Sequence, residues 1–269
     1  MMLLRLSVLL AAITALALAP VQAQRAPWPS EIFNPPPRAG IPGEFDYYLL
    51  VLSWSPTYCM TASSGEDETQ CARRDGRRFS FILHGLWPQY ETGYPERCRT
   101  RWRPFVPEPV IDQMRDVMPS RGLVIHQYRA HGTCSGLQPA PYFALARQLF
   151  QRLQIPKRYQ NPFEMQFASP GEVLNDFLAA NPGLPPGAIA VTCDGPGNRL
   201  REVRICLTKE GQPRACSASA YPPTACRASK LLVPPVRSTW RADGNHIEEG
   251  PTGERPLPKP RVIESPGPL

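Results

Sequence analysis

Eight cysteines, at positions 59, 71, 98, 134, 193, 206, 216 and 226, constrain this chain more than any other feature. They follow an N-terminus, MMLLRLSVLLAAITALALAPVQAQ, that has one basic residue, a short apolar run and small residues around a cut after Ala23. That pattern reads as a secretory signal peptide over residues 1–23, too short and wrongly flanked for a membrane span. No later run is long and apolar enough to cross a bilayer, and no cysteine stands at the cut to carry a lipid. The expected product is secreted or periplasmic, with no membrane anchor. In an oxidising compartment an even cysteine count reads as four disulfides. Zinc is the competing use of these side chains, but no C-x-x-C pair occurs. Eight cysteines allow on the order of a hundred pairings, and their spacing does not choose among them.

Proline divides the chain. Residues 24–44 and 227–269 are proline-rich, and proline both lacks a backbone donor and holds its predecessor extended. The first reads as a surface segment and the second as a disordered tail. The residues between, 45–226, are the right size for one domain with its own core. Within them FDYYLLVLSWSP and RRFSFILHGLWP are aromatic and β-branched runs ending at turn residues, which predicts strands near 45–54 and 79–84. AIAVTC (188–193) and LREVRICLTK (200–209) predict two more. PEPVIDQMRDVM, PYFALARQLFQRL and SPGEVLNDFLAAN carry apolar residues at three and four spacing and predict helices, the last capped by Ser169 with Glu172 three later. Strands and helices do not alternate strictly, so the expected class is α+β: one domain, a central mainly antiparallel sheet flanked by helices and stapled by disulfides.

The formal net charge is +7, one unit of which, Arg5, lies in the leader. A basic exported protein suits a polyanion such as nucleic acid or an anionic surface, and it equally suits plain solubility. Histidine is scarcer and more telling. Of four in the chain, His126 and His131 lie in HQYRAHGTC and His84 in LHGLWPQYE. Residues 123–131 predict about two helical turns, on which Gln127 and His131 share a face and His126 lies about 100° round from Gln127. Such a set suits one small anion such as a phosphate. Cleavage of RNA by its own 2′-hydroxyl needs a base, an acid and donors to the crowded phosphorus, and imidazoles with an ordinary pKa of about 6.5 supply them near neutral pH. The nucleophile belongs to the substrate, so the expected enzyme needs no cofactor and no metal, and DNA, lacking the 2′-hydroxyl, is not cut. Spacing alone leaves other readings open. A buried core histidine is one, and a zinc site is another, although five-apart histidines are not the four-apart pair of H-E-x-x-H. Trp87, Tyr90 and Tyr94 follow His84 closely, as stacking partners for a base or as core.

FILHGLWPQY and HQYRAHGTC, in this order and about forty residues apart, resemble the two signature blocks of the T2 ribonuclease family, secreted acid ribonucleases found in plants and bacteria. The likeness runs over about residues 45–226 and includes YYLLVLSWSPTYC, which resembles the family's first strand. The resemblance implies an α+β fold and metal-free cleavage of single-stranded RNA, with little base preference, to 2′,3′-cyclic phosphate ends by an endoribonuclease acting as a monomer. It implies that His84 and His131 are the acid and base pair, that His126 binds phosphate, that Gln127 belongs to the catalytic set, and that Trp87 and Tyr94 hold a base. It also implies the bridges Cys59–Cys71, Cys98–Cys134, Cys193–Cys226 and Cys206–Cys216. Three positions depart from the family pattern: Gln127 stands for Glu, Tyr128 for Trp and Ala130 for Lys. Glutamine hydrogen-bonds but cannot ionise, and alanine offers no cation. Loss of one transition-state donor costs about 100- to 1000-fold, and both proton carriers are kept, so a working enzyme is expected. The contrasting class is an RNA-binding or surface-interaction protein on the same scaffold.

Overall fold

In the computed structural model of this chain, residues 40–62, 69–71, 78–195, 197–217, 220–221 and 226–236 are described. Residues 1–39, which include the segment read as a signal peptide, and residues 237–269, which include His246, lie outside them. The elements are β1 (Tyr47–Trp54), α1 (Ser55–Thr61), β2 (Phe81–Gln89), α2 (Glu108–Met114), α3 (Arg121–Ala130), α4 (Pro139–Arg152), β3 (Gln166–Ala168), α5 (Pro170–Ala180), β4 (Ile189–Asp194), β5 (Arg199–Leu207) and β6 (Leu231–Val233). The six strands form one sheet in the order β2-β1-β5-β6-β3, with β4 also paired to β5. Only the β5–β6 contact is parallel, so the fold is α+β with a mainly antiparallel sheet.

Strand β1 explains why the sheet has two unequal faces. Its run YYLLVLSW is buried along almost its whole length, as expected for a central strand covered on both sides. Tyr48, Leu50, Leu52 and Trp54 enter the main core with Phe81, Leu83 and Leu86 of β2 and Val203, Ile205 and Leu207 of β5. Helices α2, α3, α4 and α5 pack on that side, through residues such as Ile111, Val124, Tyr142 and Phe177. Tyr47, Leu49 and Val51 face the other way, into a small cluster with Cys206 and Ala220 that Trp87 and Cys216 border. Helix α5 begins where the sequence signal put it: Ser169 accepts from Glu172 N–H while Glu172 accepts from Ser169 N–H, a reciprocal cap.

Three elements are additions to the sequence reading, and one changes its boundary. Helix α1 lacks an apolar stripe, and β3 and β6 have three residues each, too few to show a period. Strand β6 lies inside the 227–269 segment read as tail. Leu231 and Val233 are nonetheless fully buried, Trp54 donates its indole N–H to Pro234 O at 3.1 Å, and Val236 N–H donates to Pro162 O at 2.8 Å. Core burial and these bonds therefore carry the ordered domain to Val236, and the prolines bound a short strand without breaking it. At the other end Gly43 N–H donates to Cys134 O.

The bridges are Cys59–Cys71, Cys98–Cys134, Cys193–Cys226 and Cys206–Cys216, the pairs that the resemblance implies. Cys98–Cys134 joins the loop after β2 to the turn after α3 across 36 residues of chain. In the loop-entropy account such a bridge contributes about 3–4 kcal/mol. Replacing both cysteines by serine is expected to lower the unfolding free energy by that amount, read as a lower urea midpoint with a somewhat steeper slope as the unfolded chain expands; an unchanged midpoint contradicts the account.

Candidate active site

His84 owes its place to a defect in the sheet. Along β2, Leu83 pairs with Leu52 and Gly85 pairs with Val51, so His84 has no partner on β1 and forms a bulge. The core positions Phe81, Leu83 and Leu86 show the same slip, two apart and then three. A bulge of this kind re-aims a side chain. His84 is turned toward β5, where its Nδ1 lies 2.8 Å from Glu202 Oε1. Glu202 and Arg204 are two apart on one strand and share a face, beside Ser53 and Val51 of β1. The second carboxylate oxygen accepts two bonds from Arg204, at 2.9 and 2.7 Å. Glu202 is 2 % exposed. Burial opposes its ionisation, but the Arg204 charge and the His84 bond outweigh burial and hold the carboxyl well below its usual range. Because the carboxylate can only accept, Nδ1 of His84 must carry a proton, and Nε2 is left for chemistry.

His131 arrives from the other direction. Helix α3 starts at Ser120, whose side chain accepts from Leu123 N–H, and ends with His131 as its C-cap. A tight turn at 132–135 follows, closed by Gly136 at φ +77 and tied down through Cys134. Helix and strand meet at Trp87: its indole N–H donates to Gln127 Oε1 at 2.7 Å. Indole is a donor only, so this bond fixes which way the amide faces. Gly85 permits the approach, since a Cβ there would collide with Gln127 Oε1 and Trp87 Nε1. On the same indole, His131 stacks at 4.7 Å between centroids and 24° between planes. His84 meets it edge-on at 5.3 Å, and the Arg204 guanidinium lies over it at 5.4 Å. One tryptophan therefore spaces both histidines and touches the cation that holds Glu202.

The two histidines thus live in opposite surroundings. His131 Nδ1 is buried with no hydrogen-bond partner among the described residues. Protonation would bury a charged, unpaired N–H. Burial first, then the positive charges of His84, His126 and Arg97, bring His131 down to about 3.

Comparison with known proteins converges on one group. The Ribonuclease T2 family model matches residues 45–216. A ribonuclease of Aeromonas hydrophila is 38% identical over 200 residues, which covers 69% of this chain and 81% of that protein. The chain belongs to the ribonuclease T2 family. It is an RNA-cleaving enzyme. Among solved structures, an RNase-related protein from Calystegia sepium superposes with a TM-score of 0.55 at 20% identity, covering 72% of this chain and 98% of that one. The structure of RNase NT in complex with 5'-AMP gives 0.50 at 22% identity, over 71% and 99%. Both share the fold.

In this T2 ribonuclease a cleft of about 560 Å³ opens beside the histidines, lined by His84, His126, Glu202, Arg201, Tyr58 and Gln70 among others. His126 is exposed on α3. His131 does not line that cleft but lies against Trp87. Gln127, placed in the catalytic set from sequence, is 1 % exposed and spends its carbonyl on Trp87. Trp87, expected to stack a base, has His131, His84 and Arg204 around its ring. Tyr94 is half-buried; burial and the Glu96 charge push its phenol up while Arg204 pulls the other way. Glu202 and Arg204 are absent from the sequence reading, because a Glu in an alternating strand looks like a solvent-facing residue and His84 is 118 positions away. No group of three or more His, Cys, Asp or Glu among the described residues is arranged to hold a metal ion.

The depression of His131 has a sign that can be checked. A free imidazole is mostly protonated at pH 5, whereas His131 in the folded enzyme is expected to stay neutral there and to take a proton only near pH 3. Nitrogen-15 NMR of the imidazole rings reads this directly; a midpoint near 6.5 for His131 contradicts the burial argument.

Proposed function

We propose that the enzyme is an exported endoribonuclease that cleaves single-stranded RNA, with low base specificity, to 2′,3′-cyclic phosphate ends. The observation that carries this reading is the pair of histidines held on Trp87, one kept neutral by burial and the other fixed through Glu202. The two imidazoles have different partners and surroundings, which suits a division of base and acid work between them. His131, neutral, takes the proton of the ribose 2′-hydroxyl. The 2′-oxygen then bonds to phosphorus, the bond from phosphorus to the 5′-oxygen breaks, and His84 delivers its Nε2 proton to that leaving oxygen. His126, exposed on the cleft wall, donates to the non-bridging oxygens as charge builds there. Tyr94 borders the base. Each proton removed is matched by one supplied, so the step needs no external nucleophile. The leader, the four disulfides and the lack of any described helix able to cross a membrane all suit export.

Incubation of the oxidised protein with yeast RNA in EDTA, with product ends identified by mass, tests the reading. Cyclic phosphates are expected with the native protein and not with His84→Ala or His131→Ala, while all three still bind RNA. Near-native turnover by either variant overturns the assignment, and no cleavage by the native protein at any pH overturns the function.

Glu202 works through His84, so its removal is expected to separate catalysis from binding. Glu202→Gln keeps the shape and a hydrogen-bonding group but loses the charge. Its kcat is expected to fall about 100-fold, the lower range for a misplaced proton carrier, with KM nearly unchanged. Equal kcat in the two proteins would mean that the carboxylate does not position His84.

A further inference from the structure

The loop that leaves the catalytic centre after β2 reads R-C-R-T-R-W-R over residues 97–103. Its odd and even positions have different fates. Cys98 is buried and bridged to Cys134. Thr100 Oγ1 donates to Trp102 O at 2.6 Å, and the Trp102 indole donates to Tyr128 OH at 3.0 Å. Those inward contacts fix the segment against α3. Arg97, Arg99, Arg101 and Arg103 are all exposed. Arg129 of α3 is exposed beside them, its Nε donating to Pro104 O at 3.4 Å, and Phe105 follows at 63 % exposure.

Four exposed arginines within seven residues concentrate positive charge here, while several arginines elsewhere are neutralised. Arg115, Arg121, Arg147, Arg158, Arg201 and Arg214 each have a carboxylate partner. Arg97 has only Glu96, at 3.6 Å. Arg99, Arg101 and Arg103 have none among the described residues. Like charges held in a row repel one another, and a polyanion relieves that repulsion while releasing its counterions. The row also starts at the reacting centre: Arg97 N–H donates to Ala130 O at 2.8 Å, next to His131.

We propose that this arginine ridge binds the phosphates of an RNA strand beyond the linkage being cleaved, with Phe105 as a stacking surface at its far end. The proposal rests on the ribonuclease reading of the site. It makes the enzyme's preferred substrate a long strand, whose flanking phosphates occupy the ridge while the scissile one occupies the histidines. A dinucleotide reaches only the histidines.

The test compares the native enzyme with a triple variant, Arg99→Ser, Arg101→Ser and Arg103→Ser, and with a control that loses the same charge elsewhere, Arg152→Ser, Lys157→Ser and Lys230→Ser. Two measurements are made: cleavage of a dinucleotide and of long RNA, and binding of a 20-nucleotide 2′-O-methyl RNA, which cannot be cleaved, by fluorescence anisotropy over a salt series. The ridge variant is expected to cleave the dinucleotide normally, to lose at least tenfold in kcat/KM on long RNA at low salt, and to bind the oligomer with a salt slope shallower by about 2, the share of three single-strand phosphate contacts. The control should keep the native slope. Equal slopes for native and ridge variants, or equal losses in the two triples, overturn the ridge. Should the native protein cleave neither substrate yet bind the oligomer with the expected slope difference, the ribonuclease reading fails and the ridge stands.

Discussion

A part-buried hydrogen bond, from the indole of Trp87 to the amide oxygen of Gln127, ties together the strand and the helix that carry the histidines. On one side is β2, bulged at His84; on the other is α3, ending at His131. Neither element places its histidine usefully alone. Once strand and helix are locked at the indole, both imidazoles rest on the same ring, and Arg204 covers it as well. A neutral bond of this kind contributes only about 1 kcal/mol of net stability. Its importance is directional, because a donor-only indole and a buried amide allow one arrangement. Gly85 belongs to the same constraint, since any side chain there would occupy the space of that bond.

Charge is handled by separation. The fold buries Glu202 but supplies Arg204 and His84 to it, so the carboxylate keeps its charge at a place where burial alone would remove it. Removing one partner of such a group costs far more than the pair contributes, which makes the trio a specification of geometry more than a source of stability. His131 receives the opposite treatment, with burial and no partner for Nδ1 among the described residues. The departures from the family pattern read differently in this light. Gln127 has no need to ionise when its work is to hold an indole. Ala130 is fully buried, and its carbonyl accepts from the backbone N–H of Arg97.

Legibility followed the length and regularity of each signal. β1, β2, β4, β5 and the helices α2 to α5 announce themselves through apolar runs or three-and-four spacing, and Ser169 with Glu172 marks a helix start in the sequence itself. β3 and β6 have three residues each and show no period, while α1 has no apolar stripe; the proline rule that made 227–269 a tail hid a strand held by core burial. In the site, His84, His126 and His131 were legible as chemistry. The bulge was written in the spacing of Phe81, Leu83 and Leu86, although a strand reading passes over it. Glu202 and Arg204 were not legible, because an acid and a base two apart in a strand are ordinary surface residues until the opposite face is known to be covered.

Apolar periodicity, the cysteine count and two short histidine blocks were enough, without any coordinates, to indicate the α+β class, an expected export and an RNA-cleaving enzyme. Those properties depend on residue identity and local spacing, which the chain carries with it wherever it folds. Only the tertiary structure decided which histidine loses basicity through burial, which is held by a carboxylate, and that Gln127 bonds to Trp87. These depend on burial and on partners far apart in sequence. Dielectric surroundings and hydrogen-bond partners are properties of the packed molecule, created when β2, β5 and α3 come together.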